Sequence, residues 1–230
     1  MRWKSLFFSV FFLVNVFSYT IYDLQLAVGK REQQEVLNIL NSIDYDALQI
    51  DFKCEVILAY TDLYFWGHGD VKRYQDLAKK YVDALLETNY WKVYYAAALV
   101  YGHYVQKNYF LALIYYKKVF DFAKKAVEYG QDQYLAHLLY GILHLETPFG
   151  DLNVAKDHLL KALQLNKNHI YTYVELGKYY EKVHDCKRAK EMYEKALKLN
   201  GLEIWSYINE EAKREASERL LEVERKCTSG

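Results

Sequence analysis

The chain has 230 residues, with 30 basic and 30 acidic side chains. A net charge of zero excludes the one-signed electrostatic footprint of a nucleic-acid-binding surface. One proline and ten glycines give little punctuation, which favours long helices over many short strands, and 52% hydrophobic residues suffice for a packed core.

Residues 1–18 read as a secretory signal. Arg2 and Lys4 precede the apolar run 6–17, and Val16 and Ser18 supply the small or tolerated residues of a cleavage site. The run is too short to span a bilayer comfortably, so a signal left uncleaved as a membrane anchor is the alternative. No cysteine follows the exit to take a lipid. Residues 19–230 are then one exported helical domain, expected in the periplasm. Export predicts an oxidising compartment, yet the three cysteines do not space as a disulfide framework. Cys54 reads as a small buried filler, and Cys186 as a free cysteine in a turn beside His184. A Cys186–Cys227 bridge is not expected, because the tail would have to return to that turn.

In chain order, 19–27 shows no clear periodicity and reads as an ordered approach segment. The stretch 30–40, with Val36, Ile39 and Leu40 on one side, predicts a short helix that breaks at 41–44. Four helix pairs follow, at about 52–87, 93–129, 131–166 and 168–200, and a capping helix at 202–226. The first turns at Gly67-His68-Gly69-Asp70. The only proline, Pro148, falls in the turn of the third pair. In the capping helix, Trp205, Ile208, Ala212, Ala216, Leu220 and Val223 form one apolar stripe at spacings of three and four. Its charged face reads as solvated, with Glu210–Arg214, Glu215–Arg219 and Glu222–Lys226 in the favourable i,i+4 order.

The fourth pair carries the clearest signal. Tyr173, Leu176, Gly177 and Tyr180, then Ala189, Tyr193 and Ala196, fall at the spacing of the tetratricopeptide (TPR) repeat. Gly177 and Ala189 are small because two antiparallel helices cross closest there; the larger residues fill the space around the crossing. Tyr140-Gly141 with Ala155, Leu159 and Ala162 repeats the pattern in the third pair. Leu99 with Ala112, Tyr116 and Val119 repeats it in the second, and Leu77, Tyr81 and Ala84 do so degenerately in the first. Such hairpins cannot bury their apolar faces alone and must stack. The expected fold is all-α, a TPR-like α-solenoid of about four helix pairs with N- and C-terminal capping helices.

First helices of the pairs line the concave wall of such an array. The register places there Trp66 and Asp62; Tyr94, Ala97, Tyr101 and Tyr104; Leu135, Leu138, Ile142 and Leu145; and Tyr171, Val174 and Lys178. A wall so apolar and aromatic marks a binding surface, or else core covered by the superhelix. No metal or cofactor is expected. His137 and His144 share a helix face with His158 on the next helix, but no acidic or cysteine ligand accompanies them at metal spacing. His68, His103 and His144 occupy the packing place of Tyr180. No nucleophile motif or phosphate loop is present, and paired carboxylates sit only on solvated faces, so no enzymatic activity is expected.

From Tyr134 onward the chain resembles the T-component family of TRAP-type transporters. The likeness rests on Thr147-Pro148-Phe149-Gly150-Asp151, the Ala155–Ala162 helix, the clear repeat, and Asn209-Glu210-Glu211-Ala212-Lys213 with Ala216 and Leu220-Leu221. It covers a little under half of the chain. It implies a periplasmic all-helical protein that partners a solute-binding protein and carries a central hydrophobic cavity. Two functions are therefore expected. One is a non-enzymatic scaffold presenting its concave face to a protein or peptide. The other is a transporter-associated component holding a hydrophobic or organic-acid molecule in a tyrosine-rich cavity. An open inner wall would favour the first, and a closed cavity of several hundred Å³ the second. Homo-oligomerisation is a third role such a stack can play.

Overall fold

The structure, a computed structural model, describes residues 19–106 and 109–228, without the side chains of 104–113 and of Thr228. The signal region lies outside the described residues. Among those described there are eleven α-helices and no strand: α1 (Ile21–Gly29), α2 (Gln33–Ser42), α3 (Ile50–Trp66), α4 (Val71–Leu85), α5 (Trp91–Gln106), α6 (Tyr109–Tyr129), α7 (Tyr134–Glu146), α8 (Leu152–Leu165), α9 (Ile170–Lys182), α10 (Cys186–Lys198) and α11 (Ser206–Thr228). None of them is long and apolar enough to cross a membrane. Consecutive helices pair and the pairs stack, which makes an all-α, TPR-like solenoid.

Short polar signals open the helices. Asp70, Asp151 and Asp185 each stand as the N-cap of the second helix of a pair, accepting from the backbone N–H of Arg73, Asn153 and Arg188. At Thr20 a capping box forms: its hydroxyl accepts from the Asp23 N–H, while the Asp23 carboxylate accepts from the Thr20 N–H. That box turns 21–29, which has no clear periodicity, into a helix. The N-terminal cap is thus itself a pair, α1 with α2.

Where the sequence is clearest, small residues sit at helix crossings. Ala155, Ala162, Ala189 and Ala196 are fully buried, and a Cβ on Gly141 would stand 2.9 Å from Leu159 Cγ. At Gly177 a Cβ would lie 2.5 Å from Tyr193 Cζ, so the tyrosine ring occupies the space that glycine leaves. In the first two pairs the register differs from expectation. Ala78 and Val82, rather than Leu77 and Tyr81, are buried in α4, and Ala84 is exposed. In α6 the buried set is Val119, Phe122, Ala123 and Ala126, and Val119, Ala123 and Ala126 stand seven residues beyond the expected Ala112, Tyr116 and Val119. The side chain of Ala112 lies outside the described residues. The 21-residue α6 is longer than its counterparts, which carries its early turns beyond the crossing and releases Tyr116 from it.

Cys186 and Cys227 are bridged, against the sequence expectation. The 23-residue α11 packs on α10 along Ala212, Ala216 and Val223, and its length carries the tail back to the α10 N-terminus. Cys54 is free and buried, and its burial pushes the thiol up to about 12.

The array also closes on itself. α1 packs against the 3₁₀ turn Glu203–Trp205 ahead of α11, so closely that a Cβ on Gly29 would fall 2.5 Å from the Ile204 carbonyl carbon. The Ser206 hydroxyl donates to the Gly29 carbonyl at 2.9 Å, Lys30 pairs with Glu203 at 2.8 Å, and the Arg31 guanidinium lies over the Tyr207 ring. The first described helix thereby meets the start of the last.

Candidate functional site

Closure leaves a cavity of about 1100 Å³ inside the array. One wall is apolar and comes from α5 and α7: Ala98 and Leu99, then Leu135, Leu138, Leu139, Ile142 and Leu143. The opposite wall is the charged face of α11, with Glu211, Arg214, Glu215, Glu218, Arg219 and Glu222. Asp62 and Phe65 join them from α3, Tyr95 and Gly102 from α5, and Tyr116 and Phe120 from α6.

The two ends differ. At the N-terminal ends of the inner helices, the His169 ring lies tilted beside Tyr134 with ring centroids 5.0 Å apart and meets Trp205 edge-on at 6.1 Å. His169 is buried, and that burial alone pushes its imidazole down to about 4, so it stays neutral there. At the C-terminal ends the lining reaches solvent through aromatic groups: Phe65 is 54% exposed, and Tyr116 stacks on Phe149, itself 59% exposed.

Charges on the α11 side are knitted together. Arg219 pairs with Glu215 at 2.8 Å and with Glu181 at 3.3 Å, and Glu181 also accepts from the Tyr193 hydroxyl. Arg214 pairs with Glu211 at 2.7 Å. Behind them Lys178 reaches Glu175 at 2.8 Å, Glu146 at 3.5 Å and Glu215 at 3.6 Å. Burial pushes the Glu175 carboxyl up, against the pull of Lys178, and its Oε2 has no partner among the described residues. Lys178 ends up raised although burial alone would lower it, because the carboxylates around it outweigh desolvation.

Asp62 stands apart. Its carboxyl faces the cavity and takes no hydrogen bond among the described residues. Burial, with a smaller push from Glu55, raises it to about 7 despite Arg31.

Of the residues that the register placed on the concave wall, Leu135, Leu138, Ile142 and Tyr171 line the cavity together, as does Asp62. Tyr94 and Tyr101 lie in the core instead, 3% and 2% exposed. Their hydroxyls donate to the Leu86 carbonyl and to Asp83 of α4, and both rings pack on Phe122 of α6. Ala97, Leu145 and Val174 are core as well. Trp66 lies beneath the Arg31 guanidinium at the α1–α2 side, and Lys178 sits behind the charged wall. Tyr104 has its backbone on α5, with its side chain outside the described residues. The residues of α5 that do face inward are Tyr95, Ala98, Leu99, Gly102 and His103, mostly one position on, which is a rotation of about 100° on a helix. The charged face of α11, expected in solvent, is exposed at Glu210, Arg214, Glu218 and Glu222, and it also rims the cavity. The sequence holds no local signal for that, since it follows from closure of the array.

The histidines form a packed group. His137 Nδ1 lies 2.9 Å from His158 Nδ1, and His137 Nε2 lies 3.0 Å from the Gln131 carbonyl. That carbonyl can only accept, so His137 carries its proton on Nε2 and donates to it, and the His158 Nδ1–H donates to His137 Nδ1. His144 Nδ1 accepts from the Asp151 N–H at 3.0 Å. Burial, then repulsion from His137 and His144, pushes His158 down to about 4. Among the described residues no group of three or more histidine, cysteine or acidic side chains is placed to hold a metal ion.

No family model matches the chain. Among curated proteins it is similar to the uncharacterized protein ycf37 of Pyropia yezoensis, 37% identical over 62 residues. That match takes in 27% of this chain and 34% of the relative, so the chain spans about a third of that protein's length. Among solved structures it is similar to MamA, in the forms labelled MSR-1 and AMB-1. Both give a TM-score of 0.46 and 20% identity, covering 76% and 78% of this chain and 92% and 96% of theirs. The fold assignment rests on this chain's own helix pairs.

Proposed function

We propose that the protein is an exported, non-enzymatic helical-repeat binding protein that holds a small molecule with an apolar body in its central cavity and works with a protein partner. The observation that carries this reading is the closure of α1 on the Glu203–Trp205 turn, which deepens a concave face into a half-open cavity of about 1100 Å³. That volume sits at the upper end of ligand sites and is lined on one side by leucines and isoleucine. The Cys186–Cys227 bridge supports export, since disulfides persist in oxidising compartments. The T-component resemblance supplies the kind of partner, a periplasmic solute-binding protein. Native mass spectrometry of the protein recovered from its own cells tests the proposal. It should show a bound species of small-molecule mass that organic extraction removes. Protein that carries nothing, and takes up no apolar probe after extraction, would sink the reading.

The exposed aromatic end favours a second reading, a TPR scaffold that docks a protein through its rim. Phe65, Tyr116 and Phe149 form an apolar edge there. If this edge is the docking surface, Phe149→Ser with Tyr116→Ser weakens partner binding and leaves the melting temperature unchanged. Unaltered binding by that variant would remove this reading.

A further inference from the structure

The cavity's charges say which small molecules suit it, an inference that rests on the carrier reading above. Six carboxylates line it, of which Glu146, Glu211, Glu215 and Glu222 are ion-paired, the last with Lys226 at 3.8 Å, while Asp62 and Glu218 stand in no salt bridge among the described residues. Only two guanidiniums line it, and both are engaged, Arg214 with Glu211 and Arg219 with Glu215 and Glu181. Lys178, behind the wall, is shared among three carboxylates. Arg31 is held between the Tyr207 and Trp66 rings outside the lining. An anionic head entering this space would meet excess negative charge and no uncommitted lining cation. A cationic head would meet Asp62, which is half-buried in the cavity wall, has no hydrogen-bond partner among the described residues and feels only the more distant pull of Arg31. Phe65 stands one turn further along α3, and Tyr95 faces the same space from α5, so the ring faces needed for a cation are present as well. The opposite wall is aliphatic.

We propose that the cavity takes an amphiphile with a cationic amine head, the head between Asp62 and the α11 carboxylates and the hydrocarbon body against α5 and α7. An organic acid is the wrong sign for this lining. The charged face of α11 is then the element that selects the ligand, and the apolar face of the same helix is what fixes it to α10.

Three probes that share a twelve-carbon chain separate the parts of this inference: dodecyltrimethylammonium, dodecanoate and dodecanol. Each is titrated below its micelle concentration into the delipidated full chain and followed by calorimetry and by the fluorescence of Trp205 in the lining. The ammonium probe should bind at least about tenfold more tightly than dodecanoate, the equivalent of one modest charge interaction. Asp62→Asn should narrow that preference and leave dodecanol affinity unchanged. Gly102→Phe supplies the control for place: a Cβ there meets nothing within 4 Å, so a ring can grow into the cavity, and all three probes should lose binding. Dodecanoate binding as tightly as the ammonium probe, or an unchanged preference in Asp62→Asn, would overturn the charge assignment while the carrier reading stands. If no probe binds, or Gly102→Phe binds them all as the parent does, the carrier reading falls with it.

Discussion

Gly177→Ala and Gly102→Ala are the same chemical change, each inside a helix, and the structure gives them opposite signs. Replacing a helical glycine by alanine is worth about 0.8–1 kcal/mol through backbone entropy, wherever the methyl group fits. At Gly102 it fits, since a Cβ meets nothing within 4 Å. The expected result is stabilisation of about 0.5–1 kcal/mol. At Gly177 the new Cβ would stand 2.5 Å from Tyr193 Cζ. Tyr193 is fully buried, and its hydroxyl donates to Glu181, itself paired with Arg219 at 3.3 Å, so the ring has no free direction in which to move. Overpacking costs about 1–3 kcal/mol, and disturbing a hydrogen bond to a charged acceptor adds about 1.5–3 if it breaks. After the helix gain is subtracted, a net loss of about 2 kcal/mol is expected. In a chain of this size that lowers the melting temperature by roughly 5 °C, while Gly102→Ala raises it by about 2 °C. Urea and thermal unfolding of both variants beside the parent measure this. If both move in the same direction, or if Gly177→Ala melts with the parent, the helix-crossing argument and the register built on it are refuted.

Three other changes test separate parts of the structure. Asp62 titrates at about 7 in the folded chain against 3.8 ordinarily. The folded state therefore binds the extra proton between those values, and stability is lost as pH rises from about 4 to about 7; Asp62→Asn should gain up to about 4 kcal/mol over the parent at pH 8 and little at pH 4, and a pH-independent difference would show the carboxyl to be solvated. Cys227→Ser opens the loop closed across a separation of 41 residues and should cost about 2–4 kcal/mol, with faster amide exchange at the end of α11; unchanged exchange and stability would mean that the bridge holds nothing. Gly29→Val should push α1 off the Glu203–Trp205 turn, enlarging the radius of gyration and exposing α1 to protease without melting α9 and α10; a protease pattern like the parent's would contradict closure at that point.

The all-helical repeat architecture was legible because its causes are local. Aspartate caps open the second helices, and Gly177, Ala189, Tyr193 and Ala196 recur at spacings that only a helical hairpin explains. Local register was legible only where those small residues are present. In the first two pairs larger side chains blur the pattern, and a slip of one residue turns a helix by about 100°, enough to move Tyr94 and Tyr101 from cavity to core. The Cys186–Cys227 bridge was hidden for a related reason: it depends on how far a 23-residue helix reaches once it lies along α10.

The sequence by itself determined that the chain builds stacked helix pairs, which faces of those helices are apolar, and that the last helix has one charged side. Only the tertiary structure decided that this charged side also rims a half-open cavity and that Asp62 lies half-buried in its wall. Each pair adds a small rotation fixed by side-chain packing at its interface, and whether those rotations sum to an open arc or to contact between α1 and the start of α11 belongs to no single segment. A glycine at position 29 and a hydroxyl at 206 permit that contact, but the accumulated curvature brings them together.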